Sequence, residues 1–67
     1  MNISKSLKKA YKLKGTNQTD LAAGINVTKS YVSAIERNVK TAPIGFIVKV
    51  ALHLDMKVSE FIKLGEE

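Results

Sequence analysis

Apolar side chains recur along this chain in helical rows, each row bounded by a residue suited to start or stop a helix. Ile3, Leu7, Ala10 and Tyr11 fall at i, i+4, i+7 and i+8, one face of a helix with lysines on its other side. Gly15 closes that helix, since glycine enters the left-handed region without a Cβ penalty. Asn17 is a good N-cap for a second helix, with Asp20 three residues on in a capping-box-like arrangement, and Leu21, Ala22 and Ile25 supply its buried side. Asn26 breaks the pattern as a left-handed turn residue, Thr28 caps a third helix whose Val32 and Ile35 face inward, and Asn38 stops it in turn.

After a loop over residues 39–42, Pro43 fits the first turn of a fourth helix, where its missing N–H does no harm. Ile44, Ile47, Val48, Ala51 and Leu54 are the expected inward row of that helix, with Asp55 as its stop. Val58, Phe61 and Ile62 form a last amphipathic helix, and Gly65, Glu66 and Glu67 read as a frayed tail. No strand alternation, repeat or linker interrupts the series. The expected fold is therefore all-α: a compact bundle of five short helices making one domain over residues 1–67.

Composition narrows the function. The chain has 67 residues, a formal charge of +5 and no cysteine, which excludes a disulfide framework, thiol catalysis and cysteine-ligated zinc. His53 is the only histidine, so a metal site has almost no ligands to draw on, and no cofactor or small-molecule ligand is expected. No apolar run approaches the roughly 18 residues that span a bilayer, and no secretory signal follows the start, so the expected location is cytoplasmic with no membrane partner. The charge is uneven: residues 1–49 carry nine basic against two acidic side chains, net +7, while residues 50–67 carry two against four, net −2. Such a division sets one region to meet a polyanion.

The stretch from Gln18 to Asn38 carries the chemistry. Two helices separated by about three residues, the second with a small, polar outer face, make a helix-turn-helix over about residues 18–37. Ala22 is small where the helices cross, Asn26 tolerates the turn, and Val27, Val32 and Ile35 pin the second helix onto Leu21 and Ile25. Thr28, Lys29, Ser30, Ser33, Ala34 and Arg37 are then free to face a groove.

The runs Gln18-Thr19-Asp20-Leu21-Ala22 and Val27 to Asn38 resemble the Cro/cI-type, lambda-repressor-like helix-turn-helix domain of the XRE family. The likeness extends into Pro43 and the Ala51-x-x-Leu54 pattern, and the segment Lys29 to Asn38 is similar to regulators of the SinR type. This resemblance implies a dimer bound to double-stranded DNA, with its recognition helices in successive major grooves. It implies that Gln18 bonds a phosphate and braces a recognition side chain, and that Lys29, Ser30, Ser33 and Ala34 face base edges. Thr28, Arg37 and Lys40 fall at positions near the phosphate backbone, with Asn17 and Asn38 as further phosphate candidates. The chain departs from the family pattern where Asn26, Asn38 and Asp55 stand in place of common glycines. Tyr11 also stands where an arginine often pairs with the Glu36 position, which makes its hydroxyl a candidate partner for Glu36.

Lys29 can donate to guanine O6 and N7, and Thr28 and Ala34 offer methyl contact to thymine, each good contact discriminating by about 1–3 kcal/mol. The reading face is lean before Arg37, so part of the specificity is expected from operator shape. About four phosphates per protomer give a salt slope of roughly −7 for a dimer. Ser30 and Ser33 have no histidine base at plausible spacing, no glycine-rich phosphate loop is present, and no enzyme is expected. Phe46 and Val50 lie beside the expected core row of the fourth helix, and Leu52 and Ile62 add to this excess of apolar side chains. A homodimer through Leu52, Val58 and Ile62 is expected from it. The expected function is a sequence-specific regulator, a Cro-like repressor of a phage or mobile element blocking a promoter at a palindromic operator. The alternative is a protein-interaction module, such as an antitoxin or an antagonist that pairs with a larger regulator.

Overall fold

The computed structural model describes residues 2–67. They form α1 (Ile3–Lys14), α2 (Gln18–Gly24), α3 (Lys29–Glu36), α4 (Ile44–His53) and α5 (Val58–Leu64), with no strand among the described residues. The all-α bundle of five helices expected from the sequence is the observed architecture. α1 lies against α5 and α3, α2 against α3 and α4, and α4 against α5. Leu7, Leu21, Val32, Ile35, Ile47, Val50 and Phe61 fill the single core.

The first four helices all stop in the same way. Gly15, Asn26, Asn38 and Asp55 have φ of 63°, 59°, 60° and 57°. The residue after each sends its N–H back five positions: Thr16 to Tyr11, Val27 to Ala22, Val39 to Ala34 and Met56 to Ala51, at 2.8–3.0 Å. This backbone bond satisfies a carbonyl that the helix end leaves open. Asparagine and aspartate serve at three of these stops because their short polar side chains tolerate the left-handed region.

Three expectations need correction. Pro43 is the N-cap of α4 and not its first helical residue, with extended backbone at φ −70° and ψ 156°. The buried face of α4 is Phe46, Ile47, Val50 and Ala51, whereas Ile44 is 69% exposed and Val48 lies at the surface. This helix is apolar on more than one side, so periodicity alone does not choose its inner face. Phe46 does so by setting its ring edge-on to Tyr31, 5.7 Å between centroids. Finally, the tail does not fray at Gly65, which is buried. A Cβ there would come within 2.2 Å of the Asn2 carbonyl oxygen and 2.4 Å of Ser6 Oγ, so only glycine lets α5 close onto the start of α1.

Candidate nucleic-acid interface

The turn between α2 and α3 is built from short-range bonds. Asn17 caps α2 by accepting from the Asp20 N–H at 2.9 Å, and its amide donates back to the Asp20 carboxylate at 3.3 Å. Asn17, expected at a phosphate, is thus engaged in its own cap. Thr28 Oγ1 accepts from the Tyr31 N–H at 3.1 Å and starts α3, while Val32 and Ile35 are buried beneath it. With that row fixed, Lys29 and Ser30 are exposed at the head of α3, Ser33 and Ala34 are half-buried along it, and Arg37 and Asn38 are exposed beyond its end. Four of the expected base-reading residues, Lys29, Ser30, Ser33 and Ala34, therefore lie on one short helix, and Thr28 is its N-cap.

Lys40 lies in the following loop and is placed by an aromatic contact. Its Nζ sits 5.3 Å from the centroid of the Tyr31 ring, which is braced in turn by Phe46. A cation over a ring face is attracted by the ring quadrupole, which restricts a side chain that would otherwise sweep freely. The sequence reading assigned Tyr31 no role, although a half-buried aromatic on a reading helix near a lysine-bearing loop is a signal for one. Lys49 is a further cation near α3 to which the sequence pattern assigns no role. It lines a cleft between α3 and α4 with Val27, Thr28, Tyr31, Pro43, Gly45 and Phe46, which puts a cation beside the N-cap of α3.

Gln18 is half-buried at the first position of α2, and its Nε2 donates to the Glu36 Oε2. Glu36 is thus held by Gln18, whereas the candidate partner, the Tyr11 hydroxyl, is buried and makes no hydrogen bond. Burial first, and the Glu36 charge second, raise the pKa of Tyr11 above the ordinary tyrosine value and keep it neutral. Ser4 Oγ completes the junction by donating to the Glu36 carbonyl oxygen at 2.6 Å.

The proposed dimer residues do not form one exposed patch. Leu52 is 74% exposed, but Val58 and Ile62 are half-buried and Val58 packs onto the core. The structure instead aligns Leu52 with Val48 and Ile44, an outer row at i, i+4 and i+8 on α4. No cluster of three or more potential metal ligands occurs among the described residues, and no helix there is long and apolar enough to cross a membrane.

Comparison with known proteins points in one direction. Residues 7–61 match the family model described as "Helix-turn-helix". The chain is 39% identical over 66 residues to the HTH-type transcriptional regulator SinR of Bacillus licheniformis, a match covering 97% of this chain and 60% of that protein. It is 44% identical over 57 residues to SinR of Bacillus subtilis (strain 168), covering 84% of this chain and 51% of the relative. The chain therefore spans just over half the length of these curated relatives. Among solved structures it resembles SinR, the master regulator for biofilm formation, in complex with DNA. That likeness has a TM-score of 0.77 at 41% identity and covers 90% of this chain and 97% of the other. The N-terminal DNA-binding domain of SinR from Bacillus subtilis gives 0.76 at 41% identity, covering 90% and 88%.

Proposed function

The chain belongs to the helix-turn-helix family, and from that premise we propose that it is a sequence-specific transcriptional regulator binding double-stranded DNA through α3. What supports this reading most is the outer face of α3. Lys29 and Ser30 stand exposed with Ser33 and Ala34 behind them, on a helix whose opposite row is locked into the core. A relative of the same fold was solved with DNA. In this reading Thr28, Lys29, Ser30, Ser33 and Ala34 face base edges. Gln18, Arg37, Asn38 and Lys40 meet phosphates together with Asn17, whose backbone lies at the start of α2. The relatives are regulators and not enzymes, and this chain is read the same way.

Its greatest extent is 26 Å, whereas successive major grooves on one face of DNA lie about 34 Å apart. One copy therefore reaches one groove, and a palindromic operator calls for two copies. In this reading α3 enters the groove, and the exposed row Ile44, Val48 and Leu52 on α4 serves pairing in a homodimer. Such a dimer acts as a repressor by occupying a promoter, in the cytoplasm and on the nucleoid.

Selection of binding sites from random duplexes at two salt concentrations tests the reading, and an enriched palindrome is expected. Lys29→Glu combined with Ser30→Glu should weaken binding to a selected site by more than about 100-fold, since two contacts of about 1–3 kcal/mol are replaced by repulsion. Unchanged binding, or no enriched sequence, would overturn the assignment of α3. The exposed row of Ile44, Val48 and Leu52 favours a second possibility, a protein-interaction module. In that case Leu52→Glu abolishes association while the native chain shows no salt-dependent shift of DNA.

A further inference from the structure

Glu36, at the end of α3, is the residue on which α1 and α2 converge. Ser4 of α1 holds its carbonyl oxygen, Gln18 of α2 holds its carboxylate, and Tyr11 lies beside that carboxylate with an unbonded hydroxyl. Among the described residues the one ion pair joins Lys9 and Glu67 at 3.9 Å, so the partner of the Glu36 carboxylate is an amide and not a cation. A primary amide carries two N–H hydrogens and one acceptor oxygen. A charged acceptor holds such a donor about twice as firmly as a neutral one does. With one Nε2 hydrogen committed to Glu36, the amide of Gln18 cannot rotate freely, and its other hydrogen remains available. That hydrogen sits at the first residue of α2.

Building on the DNA-binding reading above, we propose that Glu36 is a positioning residue for DNA binding. It touches no nucleic acid, but it fixes the Gln18 amide so that the second N–H meets a backbone phosphate at the start of α2. Through the same contact it ties the end of the reading helix to the helix that carries the phosphate contact, so the two move as one. The consequence runs against simple electrostatics. Removing an acidic residue from a DNA-binding surface should strengthen attraction to a polyanion, whereas loss of a positioning carboxylate weakens binding.

The test begins with the side-chain amide resonances of Gln18 in the full chain without DNA. In the native chain the two Nε2 hydrogens should be widely separated, one of them protected from exchange, and in Glu36→Ala they should collapse to a solvent-like pair. On a selected DNA site, Glu36→Ala should weaken binding about three- to tenfold, the range expected when an ordered side chain is set loose. Gln18→Ala should do the same, and the double variant should be no weaker than either single one. Glu36→Gln keeps an acceptor oxygen for the amide, so it should recover part of the affinity and guards against loss through unfolding. Native-like or tighter binding by Glu36→Ala, or additive losses in the double variant, would overturn the positioning role alone. Failure of the native chain to bind any duplex would overturn the DNA-binding reading and the positioning role together.

Discussion

α3 and α4 are neighbours of nearly equal length, yet they divide their surfaces in opposite ways. α3 buries one narrow row, Val32 and Ile35, and leaves small polar residues and a lysine outside. α4 buries Phe46, Ile47, Val50 and Ala51 and still shows Ile44, Val48 and Leu52 to the exterior. A helix with a single apolar row has one stable seating, so its outer face follows from its inner one. A helix that is apolar on two sides is oriented by what its neighbours supply, here the Tyr31 ring that receives Phe46 edge-on. The outer faces of the two helices thus differ in chemistry, polar on α3 and apolar on α4.

The strongest challenge to that division lies within α4 itself. Phe46→Ala should cost about 3–5 kcal/mol through the cavity it leaves, while Ile44→Ala two residues earlier should stay within about 0.5 kcal/mol. Denaturant unfolding of the two variants measures the contrast, and similar losses would mean that the inner face of α4 has been misassigned. Smaller effects are expected where the two helices are alike, at their left-handed stops. Asn38→Ala and Asp55→Ala should each destabilise by about 1 kcal/mol, because alanine meets a Cβ penalty in that region without a local side-chain bond to offset it. Glycine at either position should restore the native melting temperature.

A further effect belongs to Tyr11, on α1 beside the end of α3, and it depends on pH. Burial and the Glu36 charge raise the Tyr11 pKa, so the neutral phenol is favoured in the folded chain. Its contribution to stability is therefore fully present below the ordinary tyrosine value of about 10 and is lost as pH climbs past it toward the folded value. Thermal unfolding between about pH 9 and 12 should show this alkaline loss, and Tyr11→Phe should remove that part of it. An unaltered alkaline profile in Tyr11→Phe would place the titrating group elsewhere.

Much of this was legible from the residues. Left-handed stops at Gly15, Asn26, Asn38 and Asp55 follow from side-chain size, and the caps at Asn17 and Thr28 follow from local hydrogen bonding. Both are decided within a few residues of sequence. What escaped depends on pairs far apart in the chain. Gln18 and Glu36 meet across two helices, Lys40 rests on Tyr31 only because the turn after α3 folds back, and Gly65 is read as a tail unless Asn2 is known to lie against it. Lys49 lies beside Thr28 and Tyr31 because α4 is seated by Phe46 and not by Ile44. In each case the missing information was which distant surface a residue would meet.

The contact between Gly65 and Asn2 also bears on how the protein is made. Two of the helix pairings, α2 with α3 and α4 with α5, join neighbours in sequence, the kind of contact that forms quickly. α1, however, finds its broadest partner in α5, and that partner closes only when glycine at position 65 reaches the carbonyl at position 2. Until α5 has been made, α1 has α3 as its one broad partner and its packing is incomplete. The lysines that line α1 keep that waiting segment soluble in the interval, a service rendered before the fold exists.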